Sequence, residues 1–167
     1  MIAYEVAQQF IRAKEEVSHL VLLDSPCPLI IEPLPYTLHA WFNSIGLIGD
    51  PANPRSTKVP AWLLPHFSST IQALSSYNAR KLMLYNTGLP VPKTTAIWCR
   101  EGICHADDDP RPDPYPYGHA QWLLEDHDDF EDGGWNALLG KGTVQGRIVP
   151  GNHFTMMQGD NVSCSSI

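Results

Sequence analysis

Apolar and polar positions along the chain follow two periods, and each change of period marks an element. Residues 3–15, AYEVAQQFIRAKE, have helical spacing: Ala3, Val6, Ala7, Phe10 and Ile11 share one face, with Glu5, Gln8, Gln9 and Arg12 largely opposite. Leu20 to Leu23 is an unbroken apolar run ending at Asp24, as expected of a parallel strand buried on both faces. Residues 36–48 and 61–78 return to helical spacing, the second with Pro65 in its first turn, and the polar stretch 49–58 connects them. TTAIWC at 94–99 predicts a second strand, and HAQWLLEDHDDF at 119–130 a further helix. GGWNALLG at 133–140 predicts a turn with a short helix. TVQGRIV at 143–149 predicts a third strand, which leaves through Gly151 into a loop carrying His153.

Helix, strand, helices, strand, helix, strand in that order predicts an α/β architecture around a parallel sheet. In such sheets functional groups gather just beyond the carboxyl ends of the strands. Asp24 and His153 both stand there, on different strands. A carboxylate so placed can hold the tautomer of an imidazole and stabilise its protonated form. The same Asp at the start of a turn is also what a simple turn cap looks like.

Composition narrows the picture. The 167 residues are 43% hydrophobic and 17% charged, which suits one folded domain rather than a disordered chain. A formal charge of −7 argues against nucleic acid or an anionic membrane surface as partner. No apolar run approaches the ~20 residues of a membrane helix. The four cysteines make no disulfide framework, and a reducing cytoplasmic setting is expected. The 15 prolines concentrate in residues 26–65 and 90–116, which should be rich in loops. The cluster of Cys99, Cys104, His105, Asp107, Asp108 and Asp109 lacks a second ligand pair and reads as a solvated loop, so no metal is expected.

An Asp followed by a His fits the chain order Ser, Asp, His of an α/β-hydrolase. The nucleophile elbow G-x-S-x-G is absent from the sequence, although the helix that should leave it is expected at residues 3–15. The expectation is that the chain begins just after its nucleophile. Ser25 and Cys27, beside Asp24, lie in a turn that offers no oxyanion hole and are poor substitutes.

Seven collinear segments carry a resemblance. They include LLDSPCPLIIEPLP at 22–35, LHAWFNSIGLIGD at 38–50, DPRPDPYPYGHAQWLL at 109–124 and PGNHFTMMQGD at 150–160. Through them the chain resembles the C-terminal thioesterase/Claisen-cyclase domain of fungal non-reducing polyketide synthases, nearest to those making tetrahydroxynaphthalene-type pigment precursors. The resemblance implies a partial α/β-hydrolase fold, with core segments 1–32 and 91–167 and a helical lid at 33–90. It implies Asp24 and His153 as the acid and histidine of a triad. Trp41, Phe42, Trp62, Leu63 and Phe67 become candidate walls of a chamber for a flat polyketide, whereas His39 and His66 read as polar lid residues. The implied partner is an acyl carrier protein whose phosphopantetheine bears the poly-β-ketone thioester; no cofactor is bound by the domain itself. The departures from the family pattern are the missing elbow serine, the missing strands before it and a short closing segment. They leave two other readings: a non-catalytic fragment, and a simple type II thioesterase using the same residues.

Overall fold

The computed structural model describes residues 1–31, 34–48, 62–82, 87–113, 120–127, 132–159 and 161. The predicted connector at 49–58 lies outside the described residues, as do parts of the helices expected at 61–78 and 119–130. Three strands, β1 (His19–Leu23), β2 (Lys93–Cys99) and β3 (Val144–Val149), form one parallel sheet in the order β1-β2-β3. The helices are α1 (Ile2–Arg12), α2 (Tyr36–Ser44), α3 (Leu63–Ser76), α4 (Gln121–Leu124) and α5 (Asn136–Leu139). The register aligns Leu23 with Ile97 and Cys99 with Val149, so the carboxyl ends of all three strands converge at one edge of the molecule.

One face of the sheet carries the main core. Leu20, Leu22, Ala96 and Trp98 pack there against Tyr4 of α1, Cys27, Trp135, and Leu138 and Leu139 of α5. Trp135 is fully buried and its indole N–H donates to the Ser25 carbonyl at 2.6 Å. Gly133 and Gly134 have positive φ (56° and 81°), and a Cβ on Gly133 would overlap the Trp98 ring, so this turn requires glycine. A second core joins α2 to the loop after β2: Leu38 and Phe42 pack with Cys104, Ala120, Leu123 and Leu124. A third, small cluster of Cys99, Val149 and Met156 sits on the other face, beside the strand ends.

Three expectations change. The strand 20–23 is buried on one face only, and Val21 and Leu23 remain 52% and 45% exposed, because β1 is an edge strand with nothing packed on that side among the described residues. The helix at 3–15 stops at Arg12, where Ala13 begins a turn and Lys14 takes φ 64°. Its inward stripe is Tyr4, Ala7, Gln8 and Ile11 rather than the apolar face through Val6 and Phe10, which stays exposed. Gln8 is tolerated inside because its amide donates to the Arg80 carbonyl at 3.0 Å and its oxygen accepts from Arg12 at 2.8 Å. The helix expected over 119–130 is one turn, α4, in the described part.

Candidate active site

Asp24 is the first residue beyond β1. Its N–H donates to the Ile97 carbonyl of β2 at 2.7 Å, which extends the ladder by one bond. It then takes φ 40°, a left-handed conformation that an aspartate tolerates better than most side chains. The carboxylate is 3% exposed. A buried carboxylate must have its lone pairs filled, and Oδ1 accepts the N–H of Cys99, the last residue of β2, at 3.0 Å.

His153 arrives from the other side. β3 ends at Val149, and Gly151 turns the chain with φ 81°. A Cβ on Gly151 would lie 2.6 Å from the Asn161 amide nitrogen and 2.7 Å from the Thr155 hydroxyl, so the turn is closed to larger residues. Asn152 then forms a local cap: its Oδ1 accepts from the N–H groups of Phe154 and Thr155, and its own N–H donates to the Thr155 hydroxyl. On this scaffold His153 Nδ1 lies 3.0 Å from Asp24 Oδ2, across 129 residues of chain. With Asp24 ionised, Nδ1 carries the proton and donates it, which leaves Nε2 as the acceptor. The ring is further bounded edge-on by Trp122 at 5.6 Å and Phe154 at 5.5 Å between centroids.

A mostly apolar cavity of about 220 Å³ has Ser25, Pro26, Ile31, Leu34, Leu74 and Trp122 in its wall; Asp24 and His153 do not line it, and Trp122 is the wall residue that meets the imidazole. Two larger hollows, of about 450 Å³ between α1 and β1 and about 500 Å³ beside Arg12 and Tyr77, touch neither Asp24 nor His153. The five wall candidates named from sequence lie elsewhere. Phe42 is 2% exposed in the second core, with Trp41 against it at 5.4 Å and Phe154 at 5.7 Å. Phe67 stacks on His39 at 4.5 Å, Leu63 is half-buried, and Trp62 is 65% exposed. Trp122, which bridges the cavity and the imidazole, was not singled out from sequence; its only signal was its place in the unusual phrase GHAQWLL.

Burial, reinforced by the Asp24 charge, pushes the Cys99 thiol up to about 12, and burial also raises Cys27 and Cys104. His105 pairs with Asp126 at 2.7 Å, an exposed bond that ties the loop after β2 to the end of α4. Among the described residues no group of three or more His, Cys, Asp and Glu could hold a metal ion, and no helix is long and apolar enough to cross a membrane.

A mixed α/β unit with a three-stranded parallel sheet and an acid–imidazole pair at its strand ends is the class of structure seen here. Over about 95% of its length the chain is homologous to part of the fungal non-reducing polyketide synthases. It is 48% identical over 159 residues to the conidial pigment polyketide synthase PfmaE of Pestalotiopsis fici, covering 95% of this chain and 7% of the relative. It is 45% identical to the non-reducing polyketide synthase Preu8 of Preussia isomera, covering 96% of this chain and 7% of the relative. Against the conidial pigment polyketide synthase alb1 of Aspergillus fumigatus the identity is 41%, over 94% of this chain and 8% of the relative. The chain thus spans under a tenth of the length of these relatives. No protein-family profile matches it. A four-domain nonribosomal peptide synthetase, solved in its holo form with AMP and glycine, superposes on 98% of this chain and 13% of its own, with TM-score 0.51 and 16% identity; this is a likeness of fold alone.

Proposed function

We propose that this chain is the carboxyl-terminal part of an α/β-hydrolase domain, the thioesterase/Claisen cyclase that releases the product of a non-reducing polyketide synthase. The observation that carries the reading is the bond between the buried Asp24 carboxylate and His153 Nδ1, placed where two parallel strands end. Asp24 orients the imidazole, and Nε2 is the base. In this reading residues 1–32 and 91–167 are core and 33–90 the lid. Leu38 and Phe42 anchor α2 firmly, so the movable part of the lid is α3, which presents most of its surface to solvent.

The substrate is a poly-β-ketone delivered as a phosphopantetheine thioester on an acyl carrier protein. A serine takes the acyl chain, and the thiol leaves with the proton that Nε2 removed from the hydroxyl. Nε2 next takes a proton from an activated methylene of the bound chain. The carbanion attacks the ester carbonyl, the serine oxygen leaves, and the proton returns to it. A ring carbon–carbon bond has formed and one carbon–oxygen bond has broken. Exclusion of water from the ester favours this outcome over hydrolysis, and Trp122, edge-on to the imidazole and in the wall of an apolar cavity, supports such a surround. No serine in this sequence stands in a G-x-S-x-G setting, so the nucleophile belongs to another segment of the synthase, and this chain alone is inactive. The reaction is cytoplasmic, where soluble carrier-bound intermediates are made.

The test is a complete synthase that includes this segment, assayed for cyclised aromatic product, free acid and stalled acyl enzyme. His153→Ala is expected to lower cyclised release by about 10³-fold or more, the scale on which triad members act. Asp24→Asn should lower it comparably by favouring the wrong tautomer. Release that persists within threefold of the parent in both variants would overturn the reading. Free acid as the sole product of the parent would favour a simple thioesterase.

A further inference from the structure

Trp122 stands in the wall of the apolar cavity and edge-on to the His153 ring, with 5.6 Å between centroids and 85° between planes. Its backbone is held firmly. The Trp122 carbonyl accepts from the His127 ring at Nε2. The next two residues, Leu123 and Leu124, are buried in the second core, and their carbonyls accept the N–H groups of Ile103 and Cys104 at 3.1 and 2.9 Å. The ring is therefore placed by the strap it stands on. Its own nitrogen adds nothing to that placement, being buried with no hydrogen-bond partner among the described residues. An unpaired buried N–H is a cost to folding, so stability alone would favour a phenyl ring here. What the indole supplies is breadth beside the imidazole, whose side chain is still 39% exposed.

We propose that Trp122 is the specificity-determining residue of the release step: it closes the cavity side of the His153 imidazole to water, so that the acyl enzyme is resolved by ring closure rather than by hydrolysis. This rests on the reading of Asp24 and His153 as the catalytic pair. The two outcomes share the base and the leaving group. In closure the methylene loses its proton to Nε2, its carbon bonds to the ester carbonyl, and the serine oxygen leaves with that proton. In hydrolysis water loses the proton to Nε2, its oxygen bonds to the same carbonyl, and the serine oxygen leaves in the same way. Access of water to Nε2 therefore weighs directly on the choice, and a ring set against the imidazole restricts it.

The test is the partition of products in the complete synthase. In Trp122→Ala the ratio of free acid to cyclised product is expected to rise by about tenfold or more, the scale on which one wall group of an apolar pocket discriminates. Trp122→Phe, which keeps an aromatic edge, should raise it by less than about threefold. A Trp122 that served packing alone would lower the amount of active synthase and leave the ratio as it was, so an unchanged ratio in active Trp122→Ala overturns the proposal. Where Trp122→Ala yields no active synthase, Trp122→Leu, apolar but without the ring, carries the same expectation and the same refutation. A second measurement leaves Trp122 unaltered: in the chain as it stands, the ring protons of Trp122 and His153 should show a mutual nuclear Overhauser effect, assigned by its loss in His153→Gln. A folded chain without that effect overturns the proposal. Release that survives His153→Ala would remove the catalytic reading and this proposal together. Release abolished by His153→Ala, with an unchanged ratio in Trp122→Ala, would remove this proposal alone.

Discussion

The seating of α1 on the sheet can be tested through one carbonyl. Tyr4 is fully buried, and its hydroxyl donates to the Arg80 carbonyl at 2.6 Å. The Gln8 amide donates to the same oxygen at 3.0 Å. Tyr4→Phe removes one donor with almost no change of shape, and the carbonyl keeps the other. The expected cost is therefore that of a single net hydrogen bond, about 1 kcal/mol. Gln8→Met also preserves shape and frees the Arg12 guanidinium to turn to solvent; its cost is again about 1 kcal/mol. In the double variant the carbonyl loses both donors beneath α1, which adds an unsatisfied-acceptor penalty of about 1–2 kcal/mol. The cycle should then show a total near 3–4 kcal/mol and a coupling of about 1–2 kcal/mol. Urea unfolding followed by tryptophan fluorescence measures it, with the slope m required to stay constant across the four proteins. Costs that add to within about 0.3–0.5 kcal/mol would refute the reasoning, because they would mean that water replaces the donors and the shared carbonyl does not hold the helix.

Gly102→Ala places a Cβ against the Leu124 carbonyl, on a residue whose N–H also binds Asp126. It should destabilise by about 1–3 kcal/mol and alter the near-UV signal of Trp122, as read by urea titration and circular dichroism. His39 is 5% exposed and stacked on Phe67, and burial lowers its pKa, so folding depends on its being neutral. Its contribution is fully present above the unfolded value near 6.5 and is lost as pH falls from there through the lower folded value. Between pH 6.5 and 5 the wild type should therefore lose stability relative to His39→Leu, by up to about 1.4 kcal/mol per pH unit, and parallel curves would refute the assignment. Burial of Cys27, Cys99 and Cys104 should make all three silent to a thiol reagent in the native chain and reactive in denaturant.

The three strands were legible because each is a short run of apolar or β-branched residues between turn signals, and the parallel sheet followed from their alternation with helices. Asp24 and His153 were legible as candidates from position alone, one step past a strand and one glycine turn past another. What the sequence could not show was what each face meets. Amphipathic spacing in α1 identified a stripe but not the turn of the helix that seats Tyr4 and Gln8 inward, since that depends on the Arg80 carbonyl over seventy residues away. Trp41, Phe42 and Trp62 are large and apolar, a property that core and pocket residues share, so the sequence does not separate the two roles. Trp122 meets the imidazole and the Cys99 N–H meets Asp24 across the strand ends, contacts that no local pattern encodes.

The pair at the strand ends has a consequence for when the site comes into being. Asp24 reaches Cys99 across 75 residues and His153 across 129. Chain-closure entropy grows only with the logarithm of the loop, so bridging the longer span costs about 0.5 kcal/mol more than the shorter. The burden is one of time. Parallel pairing and long-range contacts slow the search for the native state, and a slip of one residue between β1 and β2 would turn Asp24 away from Cys99. The imidazole therefore finds its acid only after all three strands have settled in register. A half-folded chain therefore holds no acid–imidazole pair, whatever else of its structure has already formed.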